Sequence, residues 1–232
     1  MEFWINGQIE ICLERRQEDG SQNLKQEWIL KSVVIIDYGM GNIYSISSAV
    51  EYLGYQVNLS SEEKEILNAD ALILPGVGSF YHAVRRIEQK NLRRILRTAV
   101  IKEKIPLLGI CLGMQLLAQY GTEDGYSEGL GFIEGTVERF QLSNKEMKIP
   151  HVGFAKTRII RNFPLFEGIA GDADFYYTHS YRMICPSEYI AATANNGGDF
   201  TAAVSRDNVY GVQFHPELSQ TNGIKLLKNF LY

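Results

Sequence analysis

Pro106-Leu107-Leu108-Gly109-Ile110-Cys111-Leu112-Gly113 is the stretch on which the fold turns. Its proline-led apolar run reads as a buried strand, and the spacing of Met114, Leu116 and Leu117 starts a helix directly after it. Between them stands Gly-x-Cys-x-Gly, the sulfur counterpart of the Gly-x-Ser-x-Gly elbow, which presents a nucleophile on a tight strand-to-helix turn. Glycines two residues either side let the backbone turn without Cβ clashes. A helix start also sets unpaired N–H groups and a positive dipole end beside the sulfur, a setting suited to an anionic thiol. The same stretch fits a buried cysteine closing a βα unit, because free cysteine packs as a small apolar residue. Both readings remain open on these residues alone.

Upstream, Val33-Val34-Ile35-Ile36-Asp37 is a β-branched run that reads as a first buried parallel strand. The glycine-rich turn Tyr38 to Asn42 leads into a helix with Ile43, Ile46, Ala49, Val50 and Leu53 on its apolar side. Tyr55 to Leu59 and Ala71 to Leu74 read as the next two strands, and a mixed-charge helical region runs from about 81 to 104. This strand, turn, helix rhythm predicts an α/β fold with a mostly parallel sheet and helices on both faces. Gly39-Met40-Gly41 lacks the third glycine of a dinucleotide fingerprint, since position 44 is Tyr, and is read as a turn on the rim of a site.

Downstream, Gly121 to Gly135 reads as loop. Short β runs follow at 135–140, 175–178, 189–194, 201–205 and 209–214, added to the same sheet or to a small second one. Ser219 to Leu231 closes the chain as a helix. Residues 1–32 differ in character and are taken as an N-terminal extension, leaving 33–232 as one domain. The charged start is unlike a signal peptide.

The 232 residues carry a formal charge of −4, which gives no basic footprint for nucleic acid. Three cysteines, widely spaced and without a C-x-x-C pair, argue against a disulfide framework or a metal site. No apolar run approaches the ~20 residues of a membrane span. A cytoplasmic chain with no cofactor is expected.

A catalytic cysteine needs a base. Of His82, His151, His179 and His215, the last ends the strand 209–214, and parallel sheets gather function at the carboxyl ends of their strands. Glu217 lies two residues on, where a carboxylate can accept the imidazole N–H and fix its tautomer. Pro75-Gly76-Val77-Gly78 ends another strand; its backbone N–H groups, with that of Leu112, suit a developing oxyanion.

The stretches 109–115 (Gly-Ile-Cys-Leu-Gly-Met-Gln), 75–78 (Pro-Gly-Val-Gly) and 213–217 (Gln-Phe-His-Pro-Glu) together resemble the class I glutamine amidotransferases. Adding 37–42 (Asp-Tyr-Gly-Met-Gly-Asn), 150–153 (Pro-His-Val-Gly) and 179–181 (His-Ser-Tyr) narrows the likeness. The chain is then most similar to the family of glutaminase subunits of imidazole glycerol phosphate synthases. That resemblance implies a single-domain, flavodoxin-like fold and a Cys111, His215, Glu217 triad that releases ammonia from L-glutamine. It implies an oxyanion site at Gly76, Val77, Gly78 and Leu112, and substrate contacts from Gln115, Glu123, Ser180 and Tyr181. It also implies a heterodimer with a (β/α)8-barrel cyclase that uses the ammonia to make imidazole glycerol phosphate and AICAR in histidine biosynthesis. The docking face would include Asn42, Phe154 and Leu218. The family usually has Trp and Lys at the last two positions, so a related recipient is the alternative: amidino-sugar synthesis for surface polysaccharide. A non-catalytic binding subunit is the third reading, and the intact triad argues against it.

Overall fold

The computed structural model describes residues 31–141, 149–161 and 163–232. The expected extension 1–32 lies outside them apart from Lys31 and Ser32, and Ser32 already belongs to the first strand, β1 (Ser32–Ile36). The first half alternates as expected: α1 (Ile43–Tyr52), β2 (Gln56–Ser60), α2 (Glu63–Leu67), β3 (Ala71–Leu74), α3 (Phe80–Gln89), α4 (Leu92–Arg97), β4 (Leu107–Ile110) and α5 (Leu112–Leu116). The second half supplies strands β5 (Tyr120–Gly121), β6 (Ser127–Glu128), β7 (Thr136–Arg139), β8 (His151–Ile159), β9 (Asp172–His179) and β10 (Tyr181–Ile184). After these come β11 (Ile190–Asn195), β12 (Asp199–Arg206), β13 (Val209–Val212) and the closing helix α6 (Gln220–Leu231).

Among the described residues nine strands form the main sheet, in the order β2-β1-β3-β4-β13-β12-β11-β8-β9. β2 to β13 run parallel, and β12, β11, β8 and β9 continue the sheet antiparallel. The parallel strands are apolar on both faces because both are covered. In β1, Val34 and Ile36 enter the core layer shared with α3, α4 and α5, while Val33 and Ile35 enter the layer shared with α1 and α6. β3 divides its Leu72/Leu74 and Ala71/Ile73 pairs the same way.

Three expectations are corrected. The helical region 81–104 is broken: Asn91 adopts a left-handed conformation (φ 54°) between α3 and α4, which Asn tolerates better than most residues, and a π turn spans Thr98–Lys102. Gly121 to Gly135 is not all loop, because β5 and β6 join β7 and β10 in a second sheet. β8 and β10 lie outside every expected strand. β8 hid because its solvent face carries Val152 and Phe154, 58% and 51% exposed, so the alternation of apolar and polar residues is masked.

Candidate active site

β3, β4 and β13 are neighbours in the sheet, so their carboxyl ends bring three separated segments together. Pro75-Gly76-Val77-Gly78 follows β3, Cys111 follows β4, and His215 lies three residues beyond β13. Cys111 N–H donates to the Val212 carbonyl at 2.8 Å, fastening the elbow to the adjacent strand.

The elbow's geometry explains its sequence. Cys111 sits at φ 55°, ψ −110°, a conformation that costs a non-glycine residue about 1–3 kcal/mol. A Cβ on Gly113 would lie 1.8 Å from the Leu74 carbonyl oxygen, and one on Gly109 would lie 2.7 Å from the Gly113 carbonyl oxygen. Both clashes are with backbone, which has nowhere to go. Gly113→Ala is therefore expected to destabilise the protein by about 4 kcal/mol or more. Thermal unfolding measures this, and a melting temperature within a few degrees of the parent would contradict it. The helix after the cysteine, α5, is a single short turn, so its dipole is weak.

His215 is held on both sides of its backbone. Its N–H donates to Tyr176 O at 2.9 Å, and its carbonyl accepts from Ser219 Oγ at 2.6 Å. The imidazole Nδ1 lies 2.8 Å from Glu217 Oε1, with both side chains almost wholly buried. Burial by itself lowers the imidazole pKa, but the Cys111 sulfur and the Glu217 carboxylate outweigh it and push it up to about 10. Nε2 has no hydrogen-bond partner at ordinary geometry among the described residues. The sulfur is nonetheless near enough to act on the ring's charge. A cation at His215 beside an ionisable sulfur is the electrostatic arrangement of an activated thiol.

These groups border a cavity of about 300 Å³ lined by Val77, Gly78, Leu112, Gln115, Glu123 and the run Thr178 to Tyr181, with Cys111 and His215 in its wall. The catalytic and substrate-holding positions expected from sequence thus converge. Gly76 is the exception. It does not face the cavity, and a Cβ there would meet the Tyr38 hydroxyl at 2.5 Å and Leu112 Cβ at 2.8 Å, so it packs beneath the turn. Glu123 accepts from Phe80 N–H at 3.0 Å, and partial burial raises its carboxyl above the usual range despite that bond. Phe154 and Leu218 are both exposed, and Phe154 lines a surface groove with Ser219, beside Leu218. Asn42 stands at the N-cap position of α1 without capping a backbone N–H through its side chain; its Oδ1 accepts from Ser45 Oγ at 3.0 Å.

Sequence reasoning gave no role to Gln213, which is fully buried between the site's parts. Its Nε2 reaches Cys111 Sγ at 3.7 Å and its Oε1 accepts from Gln115 Nε2 at 3.0 Å. Gln115 Nε2 also donates to Tyr181 O at 3.1 Å. Both amide hydrogens of Gln115 are thereby engaged, which leaves its Oε1 as an acceptor. Tyr38 and Ser219 were missed as well. Tyr38 is buried beside Cys111, donates to Pro75 O at 2.7 Å, and has its phenol pKa driven upward by burial and by the sulfur. A lone amide in the apolar run ending β13 was the available signal for Gln213.

The model of the class I glutamine amidotransferase family matches residues 34–232. The chain belongs to this family. A curated relative, imidazole glycerol phosphate synthase subunit HisH 1 of Campylobacter jejuni (strain RM1221), is 42% identical over 199 residues, covering 86% of this chain and 98% of that one. Subunit HisH 2 of Methanococcus maripaludis is 44% identical over 200 residues, again covering 86% and 98%. A crystal structure of a glutamine amidotransferase shares the fold, with a TM-score of 0.67 at 20% identity over 85% of this chain and 96% of that one. In this family member the cysteine elbow, His215 and the cavity lie together. Among the described residues no helix is long and apolar enough to cross a membrane.

Proposed function

We propose that this amidotransferase is the glutaminase subunit of an imidazole glycerol phosphate synthase. Its domain would span residues 33–232, and it would hydrolyse L-glutamine and hand the ammonia to a (β/α)8-barrel partner in histidine biosynthesis. The observation that carries the reading is the meeting of Cys111, the buried His215–Glu217 pair and the Glu123-bearing cavity at the carboxyl ends of β3, β4 and β13.

The chemistry follows from those groups. The Cys111 sulfur attacks the side-chain amide carbon of glutamine, and the carbonyl electrons move onto oxygen. Backbone N–H groups of the Val77–Gly78 turn and of Leu112 receive that oxyanion; one such donor is worth about 3 kcal/mol of barrier. Gly76 keeps the turn close to Leu112. His215 gives its proton to the departing nitrogen, which leaves as ammonia, and a glutamyl thioester remains on sulfur. Water then attacks the thioester, His215 takes its proton, and glutamate leaves as the sulfur is restored. Glu217 holds the imidazole and balances its charge. Glu123 and the free Gln115 Oε1 suit the substrate's α-ammonium, and Ser180 and Tyr181 suit its carboxylate end.

The partner would dock across Asn42, Phe154 and Leu218, outside the histidine's turn. The apolar pair Phe154 and Leu218, where the family usually carries Trp and Lys, favours a second reading in which the same ammonia serves a sugar-amidating synthase. Glutamate release from glutamine tests both, measured for the chain alone, with a histidine-pathway cyclase, and with a nucleotide-sugar amidotransfer enzyme. Stimulation by the cyclase supports the first reading and stimulation only by the sugar enzyme supports the second. No glutamate in any arm would sink the glutaminase reading.

A further inference from the structure

Two imidazoles outside the triad, one lining the cavity and the other hydrogen-bonded behind it, are not used by the hydrolysis described above. His179 lines the cavity and is 6% exposed. Its Nδ1 lies 2.8 Å from Tyr181 O, and its Nε2 lies 3.2 Å from His151 Nδ1. A carbonyl only accepts, so His179 Nδ1 carries the hydrogen. Burial pushes the His179 imidazole down to about 3, against the pull of the Tyr181 carbonyl and with help from His151 and His215. His179 is therefore neutral near pH 7, and its Nε2 is a bare acceptor. His151 Nδ1 must then be the donor, because no other placement of hydrogens satisfies both contacts.

His151 is itself fixed. The β8–β9 register sets it directly opposite His179. Its ring stacks on Tyr177, with centroids 5.1 Å apart and planes 24° apart, and the Tyr177 hydroxyl shares a 2.6 Å hydrogen bond with Thr157 Oγ1. At the other end, the Tyr181 carbonyl accepts from both His179 and Gln115. Gln115 continues to Gln213, and Gln213 to the Cys111 sulfur. One hydrogen-bonded chain thus runs from the half-buried His151 to the nucleophile, passing through the backbone that bears Ser180 and Tyr181.

We propose that His151 is a positioning residue for the substrate: its Nδ1–H sets the tautomer of His179, and that ring pins the Tyr181 carbonyl against which Gln115 is oriented. This rests on reading the cavity as the glutamine site. Without the His151 donor, His179 is free to carry its hydrogen on Nε2, and the Tyr181 carbonyl loses one of its two donors. Gln115 then no longer presents Oε1 in a single direction, and glutamine binds more weakly.

The test measures glutamine affinity by calorimetry on the full chain carrying Cys111→Ala, so that no turnover intervenes. Adding His151→Phe keeps a ring on Tyr177 but removes the donor, and is expected to weaken binding about tenfold. Adding His151→Asn restores an N–H near the Nδ1 position and is expected to bind within about twofold of the Cys111→Ala parent. Nitrogen-15 NMR of the unsubstituted protein should show His179 as the Nδ1–H tautomer. Unchanged affinity in the Phe variant, or an equal loss in the Asn variant, would overturn the proposal. So would an Nε2–H tautomer at His179, and that measurement stands even if a variant fails to fold. Failure of Cys111→Ala with His151 intact to bind glutamine would instead overturn the glutamine-site reading itself.

Discussion

Cys111→Ala is expected to lower glutamine hydrolysis by at least about 10⁴-fold, the scale seen when a covalent nucleophile is removed. Among the described residues no other thiol lines the cavity: the other cysteine there is Cys185, and burial raises its thiol to about 11. The substitution also separates chemistry from folding, because the elbow's backbone strain is independent of the sulfur. Alanine at φ 55°, ψ −110° keeps that strain, whereas glycine adopts such angles freely. Replacing a buried alanine by glycine ordinarily costs about 1 kcal/mol in chain entropy. Here relief of about 1–3 kcal/mol offsets that loss, so Cys111→Gly should melt no lower than Cys111→Ala. Glutamate release and thermal unfolding on the two variants decide both points. Residual hydrolysis near the parent rate would remove Cys111 from the mechanism, and a Gly variant several degrees less stable than the Ala variant would remove the strain.

What was legible in the sequence was whatever lay contiguous along the chain. β1, β3 and β4 announced themselves because strands buried on both faces are unbroken apolar runs, and the Cys111 elbow and the His215–Glu217 pair sit within or just past such strands. Half of the second sheet did not, because β5 and β6 are two residues long and carry no periodicity. β8 was hidden by Val152 and Phe154, whose apolar side chains stand on a solvent face for reasons the local pattern does not contain. In the site, Glu123, Gln115, Ser180 and Tyr181 came only through family resemblance. The His151–His179 pair owes its role to register across strands, since β8 sets His151 opposite His179, while Gln213 and Ser219 owe theirs to side-chain contacts with other elements. A single sequence gives the periodicity of each strand but not which residue of another strand it will face. Polar residues whose only meaning is cross-strand are therefore the ones it leaves silent.

Glu217→Gln tests the charge at the centre of the site without changing its shape. Glutamine can still accept the Nδ1–H through its carbonyl oxygen, so the imidazole keeps its orientation, but the negative charge beside it is gone. Glu217 and the Cys111 sulfur hold His215 up to about 10 against burial, which by itself pulls it down. Removing the carboxylate leaves burial opposed by the sulfur alone, and the imidazolium becomes harder to keep. His215 must be protonated to release ammonia, so the alkaline limb of kcat should move to lower pH by a unit or more. The rate at neutral pH should fall by about 10²–10⁴-fold, the range of general acid–base contributions. Stability carries the same sign. A histidine whose folded pKa lies above its ordinary value of about 6.5 stabilises the native state fully below that pH. That contribution is lost as pH rises through the folded value of about 10. The parent should therefore lose stability between these limits, and Glu217→Gln should lose it over a narrower window at lower pH. A rate–pH profile from pH 6 to 10.5, with unfolding followed over the same range, reads both effects. An alkaline limb that stays where it was would show that Glu217 orients His215 without supporting its charge.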